Sequence, residues 1–140
     1  MIKITTKIRY AIRLLIFLAQ HEGEMVFLKD VSEKENISFK YLEQIIPYLK
    51  NSGLILSKRG ARGGYILAKK PSQITIKEIV QSIEGPIAIV ECVASPEYCN
   101  RSNNCVPNKL WKKLNEQISD TLETITLEDL MLNRISMEVS

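Results

Sequence analysis

A chain of 140 residues with 45% apolar and 25% charged residues is long enough for one buried core, and this composition excludes general disorder. No apolar run reaches the roughly 20 residues that cross a bilayer. The net charge of +3 hides an asymmetry. Residues 1–77 hold 14 Lys/Arg against 6 Asp/Glu (14 − 6 = +8), and residues 78–140 hold 5 against 10 (5 − 10 = −5).

In chain order, Thr6 to Gln20 reads as a first helix, with Ile8, Ile12, Leu15 and Leu18 near helical spacing. Its apolar stretch from Ala11 to Ala19 is broken by Arg13 and lacks a cleavage site, so it is not read as a signal peptide, and the cytoplasm is the expected compartment. Gly23 is expected to end this helix. A short helix over Lys29–Glu35 follows, with Asn36 as its stop. Ser38 suits an N-cap for a helix over Phe39–Asn51, in which Pro47 predicts a kink or local loosening. Gly53 suits the position just past that helix.

Leu54–Ser57 and Tyr65–Ala68 read as two strands joined by the basic, Gly-rich run Lys58-Arg59-Gly60-Ala61-Arg62-Gly63-Gly64. Thr75-Ile76-Lys77-Glu78 is a capping box opening a helix to about Glu84, closed by Gly85-Pro86. Residues 92–105 read as loop. A long helix is predicted over Asn108–Thr121, and Thr126–Asp129 opens a short last one.

Two helices across a tight turn, then a hairpin, make a winged helix-turn-helix. The predicted fold is thus mainly α with a small β-hairpin, plus a long C-terminal dimerisation helix. Three segments are expected: a DNA-binding domain over 1–84, a cysteine-containing loop over 85–106, and dimerisation and C-terminal helices over 107–140.

In this arrangement the second helix enters the major groove with its first turns against base edges. The candidate DNA-binding residues there are Ser38, Lys40, Tyr41, Glu43 and Gln44. Gln pairs bidentately with adenine, Glu accepts from the cytosine amino group, and Lys and Tyr suit phosphate oxygens. At the hairpin tip Arg59 and Arg62 are placed to clamp phosphate or enter a minor groove, and Gly63 allows close backbone approach. Between Gln44 and Lys77 there are seven basic residues and no acidic one, which fits a polyanion partner.

The three cysteines, Cys92, Cys99 and Cys105, are clustered and odd in number. They do not suit a disulfide framework, and their spacing is not that of a paired structural zinc site. Metal binding, cluster binding and thiol redox sensing all stay open. Leu110, Trp111, Leu114, Ile118 and Leu122 form a stripe that is either core or dimer seam. An enzyme is not expected: there is one histidine, no paired nucleophile and base, and no Lys-Ser/Thr after the glycines to make a phosphate loop.

These residues carry a family resemblance. Thr6-Lys7-Ile8-Arg9-Tyr10-Ala11, Ile37–Gln44, Arg59–Tyr65, the cysteine segment, Leu110-Trp111 and Ile125-Thr126-Leu127 together resemble the superfamily of winged-helix transcription regulators that includes IscR, NsrR and CymR, and most of all its IscR-like branch. The resemblance implies a homodimer joined through the long helix, and promoter DNA as partner. It also implies an iron–sulfur cluster held by Cys92, Cys99 and Cys105, of 2Fe–2S type in the first instance and 4Fe–4S as the alternative. The IscR-like pattern has a histidine three residues after the last cysteine, where this chain has Asn108. The NsrR-like pattern has an acidic residue in the first helix, where this chain has Arg9. Glu91, Glu97, His21, Asn108, solvent or a small thiol are therefore the candidates for a fourth ligand.

Overall fold

The computed structural model describes residues 3–58, 64–90, 93, 95 and 105–137. Helix α1 spans Thr6–Gln20, as its periodicity predicts, and the Thr5 hydroxyl caps it by accepting from the Ile8 N–H at 3.3 Å. The helix stops at His21 rather than at Gly23, which lies two residues on in a turn with φ +87°. Strand β1, Val26–Phe27, was not foreseen. Helix α2 follows directly as Leu28–Glu35, one residue earlier than predicted.

Asn36 stops α2 in the left-handed conformation (φ 53°), and the Ile37 N–H closes the turn onto the Ser32 carbonyl. Ser38 then caps α3, Phe39–Asn51, through the Tyr41 N–H at 3.3 Å. Helix α3 runs through Pro47 without a break. Arg13 of α1 ties down the end of α2: it donates to the Glu35 carbonyl and lies 3.6 Å from the Glu35 carboxylate.

Strands β2 (Ile55–Lys58) and β3 (Gly64–Leu67) pair antiparallel, with Ile55 opposite Leu67 and Lys58 opposite Gly64. The sequence suggested a two-strand hairpin, but β1 adds to the free edge of β3, placing Val26 opposite Tyr65 and Phe27 opposite Gly64. The sheet order is β1-β3-β2. Two residues are too short to show alternation, so only the pairing reveals this strand.

A 3₁₀ turn, Pro71–Gln73, leads to α4, Ile76–Glu84, whose capping box between Thr75 and Glu78 is formed. Helix α5 spans Val106–Thr124, longer at both ends than predicted, with Pro107 in its first turn, where the missing N–H costs nothing. Helix α6, Leu127–Met131, opens on a second capping box between Thr126 and Asp129.

One apolar core joins these elements. Leu14 and Leu15 of α1, Leu42, Ile45 and Leu49 of α3, Ile79 of α4 and Leu127 of α6 are each fully buried. Each such side chain contributes roughly 1.5–3 kcal/mol of transfer free energy. Helix α5 is the exception, because Asn108 is its only buried residue. Among the described residues no helix is long and apolar enough to cross a membrane.

Candidate nucleic-acid interface

Capping by Ser38 fixes which side chains lead α3. Ser38 at the N-cap and Lys40, Glu43 and Gln44 on the first two turns are exposed. Phe39 joins them, 45% exposed. The Ser38 hydroxyl is already engaged as the cap, so it can contribute to a phosphate only by sharing that oxygen.

Tyr41 is half-buried, and the reason lies in α1. Its ring meets Tyr10 edge-on at 5.3 Å between centroids. The guanidinium groups of Arg9 and Arg13 lie 5.9 and 5.7 Å from the Tyr10 ring. Lys7 completes the ladder, 4.7 Å over the Tyr48 ring, with its Nζ donating to the Tyr48 hydroxyl at 3.4 Å. The sequence reading missed this support, although Lys7, Tyr10 and Arg13 at i, i+3 and i+6 share one helix face.

Between α3 and the sheet lies a cleft of about 370 Å³, bordered by Leu28, Phe39, Glu43, Ile46, Lys50 and Tyr65. Glu43 therefore faces a half-apolar hollow as well as solvent. Lys58 is exposed at the end of β2, where the wing tip begins. Arg59, Arg62 and Gly63 lie outside the described residues.

Tertiary structure thins the basic stretch. Lys69 pairs with Glu78 at 2.6 Å, and Lys77 with Glu123 at 3.6 Å. Lys50, Lys58 and Lys70 form no ion pair among the described residues. Among the described residues these three are the cations of that stretch left for an external anion.

At the second candidate site, Cys105 is half-buried at the N-cap position of α5, and its carbonyl accepts from the Asn108 N–H at 3.1 Å. Cys92 and Cys99 lie outside the described residues, as do Glu91 and Glu97. Asn108 is 2% exposed, the only buried polar residue among those described. A ligand could reach it only by displacing the atoms that cover it. His21 is engaged elsewhere: its Nδ1 lies 2.9 Å from the Phe17 carbonyl, and its ring stacks on Phe17 at 4.5 Å. His21 thus closes the C-terminus of α1.

The stripe on α5 is more open than a core stripe. Val106 is 74% and Leu110 50% exposed, with Ile118 also exposed, while Trp111, Leu114 and Leu122 are half-buried.

Comparison with known proteins gives a consistent result. A family model described as "Rrf2: Iron-dependent Transcriptional regulator" matches residues 4–133. The chain is 40% identical to the HTH-type transcriptional regulator CymR of Bacillus subtilis, over 91% of this chain and 88% of that protein. It is 36% identical to the HTH-type transcriptional regulator IscR of Yersinia pseudotuberculosis, over 99% of this chain and 84% of that protein. The solved structure of B. subtilis CymR, described as the global cysteine regulator, superposes with a TM-score of 0.78, covering 95% of this chain and 98% of that one. These relatives are all named as regulators. The chain belongs to the Rrf2 family of transcriptional regulators, and its helices and small antiparallel sheet match the winged-helix structures of that family.

Proposed function

We propose that the chain is a homodimeric promoter-binding regulator whose affinity for DNA follows the state of Cys92, Cys99 and Cys105. The observation that carries the DNA-reading half is the row Lys40, Glu43 and Gln44, exposed on a helix whose N-terminus is locked by Ser38 and braced by Tyr10. Lys40, Tyr41 and the Arg59–Arg62 tip would position the phosphates, and Glu43 and Gln44 would read bases. Val106, Leu110 and Ile118, exposed on α5, are the apolar surface that a second copy would cover, and a two-fold dimer matches paired half-sites.

For the sensor, the first reading is an iron–sulfur cluster. Three thiolates are the soft donors that such a group takes, and the family description and the IscR relative support it. Cys92, Cys99 and Cys105 would hold it, and it would supply an iron- and redox-responsive centre. The donor set is incomplete, because Asn108 is buried and is a poor iron ligand. A fourth donor from solvent, a small thiol or another residue would leave the group labile.

The buried Asn108 and the 40% identity to CymR favour a second reading, in which the cysteines act by thiol redox chemistry or bind zinc. Anaerobic purification with a visible spectrum and iron, sulfide and zinc analysis separates the two. Brown protein that loses its colour on Cys92→Ser, Cys99→Ser or Cys105→Ser supports the cluster. Colourless, iron-free protein with DNA affinity dependent on thiol state supports the second. The dimer is tested by sedimentation of Leu110→Glu, expected to be monomeric and weak on DNA. A wild-type monomer at micromolar concentration would overturn it.

A further inference from the structure

The cysteine segment is tethered to α5 at both of its ends. Its exit is Cys105, at the start of α5. Its entry is held by Asn115, in the middle of the same helix. The Asn115 Nδ2 donates to the Ile87 carbonyl at 3.1 Å, and its Oδ1 accepts from the Ile89 N–H at 3.0 Å.

The chemistry of this contact is specific. A primary amide presents one donor and one acceptor as a peptide group does. By bonding the carbonyl of residue 87 and the N–H of residue 89, it takes the place of a neighbouring strand's residue in a parallel bridge centred on Ala88. Aspartate keeps only the acceptor. Leucine, of similar shape, keeps neither.

The clamp is also one end of a frame. Helix α4 has 9 residues, Ile76–Glu84. The part of α5 beyond Asn115, residues 116–124, has the same number, so both rails are about 13–14 Å long. At the far end the rails are joined at Thr75 and Thr126, where the Ile76 N–H donates to the Ile125 carbonyl at 2.9 Å and the Leu127 N–H to the Ile74 carbonyl at 2.8 Å. The second half of α5 is therefore fixed to the winged helix at both ends. Its first half, residues 106–114, lies beyond the clamp, with Cys105 at its start, Asn108 buried and Val106 and Leu110 exposed.

We propose that Asn115 is the fulcrum of the sensor, a positioning residue through which a change in the cysteine segment moves the first half of α5 against the DNA-binding domain. With Asn115 gripping residues 87 and 89 and Cys105 opening the same helix, both anchors of the segment lie on α5, so a change that alters the distance between them acts on that helix. The proposal rests on the reading of the cysteines as the sensor.

The test uses the full chain and N-ethylmaleimide, which adds each accessible thiol across its double bond with no electron transfer. DNA affinity is measured before and after alkylation in the wild type, Asn115→Leu and Asn115→Asp. The wild type is expected to shift by about fivefold or more. Asn115→Leu should bind DNA within about twofold of the wild type before alkylation and shift by less than about twofold after it, with Asn115→Asp between the two. Hydrogen exchange should show the Ile89 amide protected in the wild type and unprotected in Asn115→Leu, with 116–124 unchanged. A full wild-type shift in Asn115→Leu, or in Asn115→Asp should the first variant not fold, overturns the fulcrum and leaves the sensor standing. No shift in the wild type overturns the sensor, and the fulcrum with it.

Discussion

Thr75 and Thr126 face each other in an isolated antiparallel bridge, and each is also the N-cap of a capping box. The two hydroxyls start α4 and α6, and the backbone between them stitches the C-terminal end of α5 to the core. Leu127, fully buried, follows from that stitch. The C-terminal end of α5 is thus tied to the core by a short polar seam.

Loss of either cap should loosen this seam. Thr126→Ala and Thr75→Ala are each expected to lower stability by about 1 kcal/mol, the usual worth of an N-cap hydroxyl. Because the residues are paired, the double variant should depart from additivity. Denaturant melts of the two singles and the double check both points.

The cap at α6 should also respond to acid. Asp129 has its pKa lowered from the ordinary 3.8, first by the hydrogen bond it accepts from the Thr126 N–H, with the Thr126 hydroxyl and Arg134 acting in the same direction and burial opposing them. A carboxylate depressed in the folded state contributes stability that is complete above its unfolded value and is lost as pH falls through the folded one. The contribution of Asp129 is therefore complete at neutral pH, starts to fall as pH approaches the unfolded value, and is lost as pH drops through the lower folded one. Thermal melts of Asp129→Asn against the wild type should converge over that acid range.

The wing depends on a contact between Gly64 and Met25. A Cβ on residue 64 would overlap Cγ and Sδ of Met25. Gly64→Ala should push Met25 aside, strain the pairing of Phe27 with Gly64 and cost about 1–3 kcal/mol. Met25→Ala in the same chain should recover most of the loss in a thermal melt.

Two exposed residues on α3 should separate phosphate contact from base reading. Lys40→Ala should weaken binding uniformly across sequences and reduce the salt slope by about 1. Gln44→Ala should cost about 1–3 kcal/mol on the preferred operator and relax discrimination at one base pair. Titrations on specific and mismatched duplexes at several salt concentrations check both.

Much of this architecture is legible in local residue chemistry. Helices α1 and α3 begin and end where Thr5, Ser38 and the apolar spacing place them, because capping and amphipathic periodicity act within a few residues. Both capping boxes could be read for the same reason. The strand ends shifted by one residue, because pairing across the sheet decides them. The candidate DNA-reading residues follow from their place on α3, which the helix start alone dictates.

Other features are invisible without the assembled chain, because their partners lie far away in sequence. Strand β1 exists only because β3 offers it an edge. Lys69 and Lys77 lose their availability to Glu78 and Glu123, which the charge count placed in the acidic half. Asn108 is buried, and Asn115 reaches residues 26 and 28 positions away. Local spacing and charge therefore sufficed for a winged-helix DNA reader with a cysteine segment. Long-range hydrogen bonds and burial, which no window of sequence contains, decided how that segment is hung on α5 and α5 on the reader.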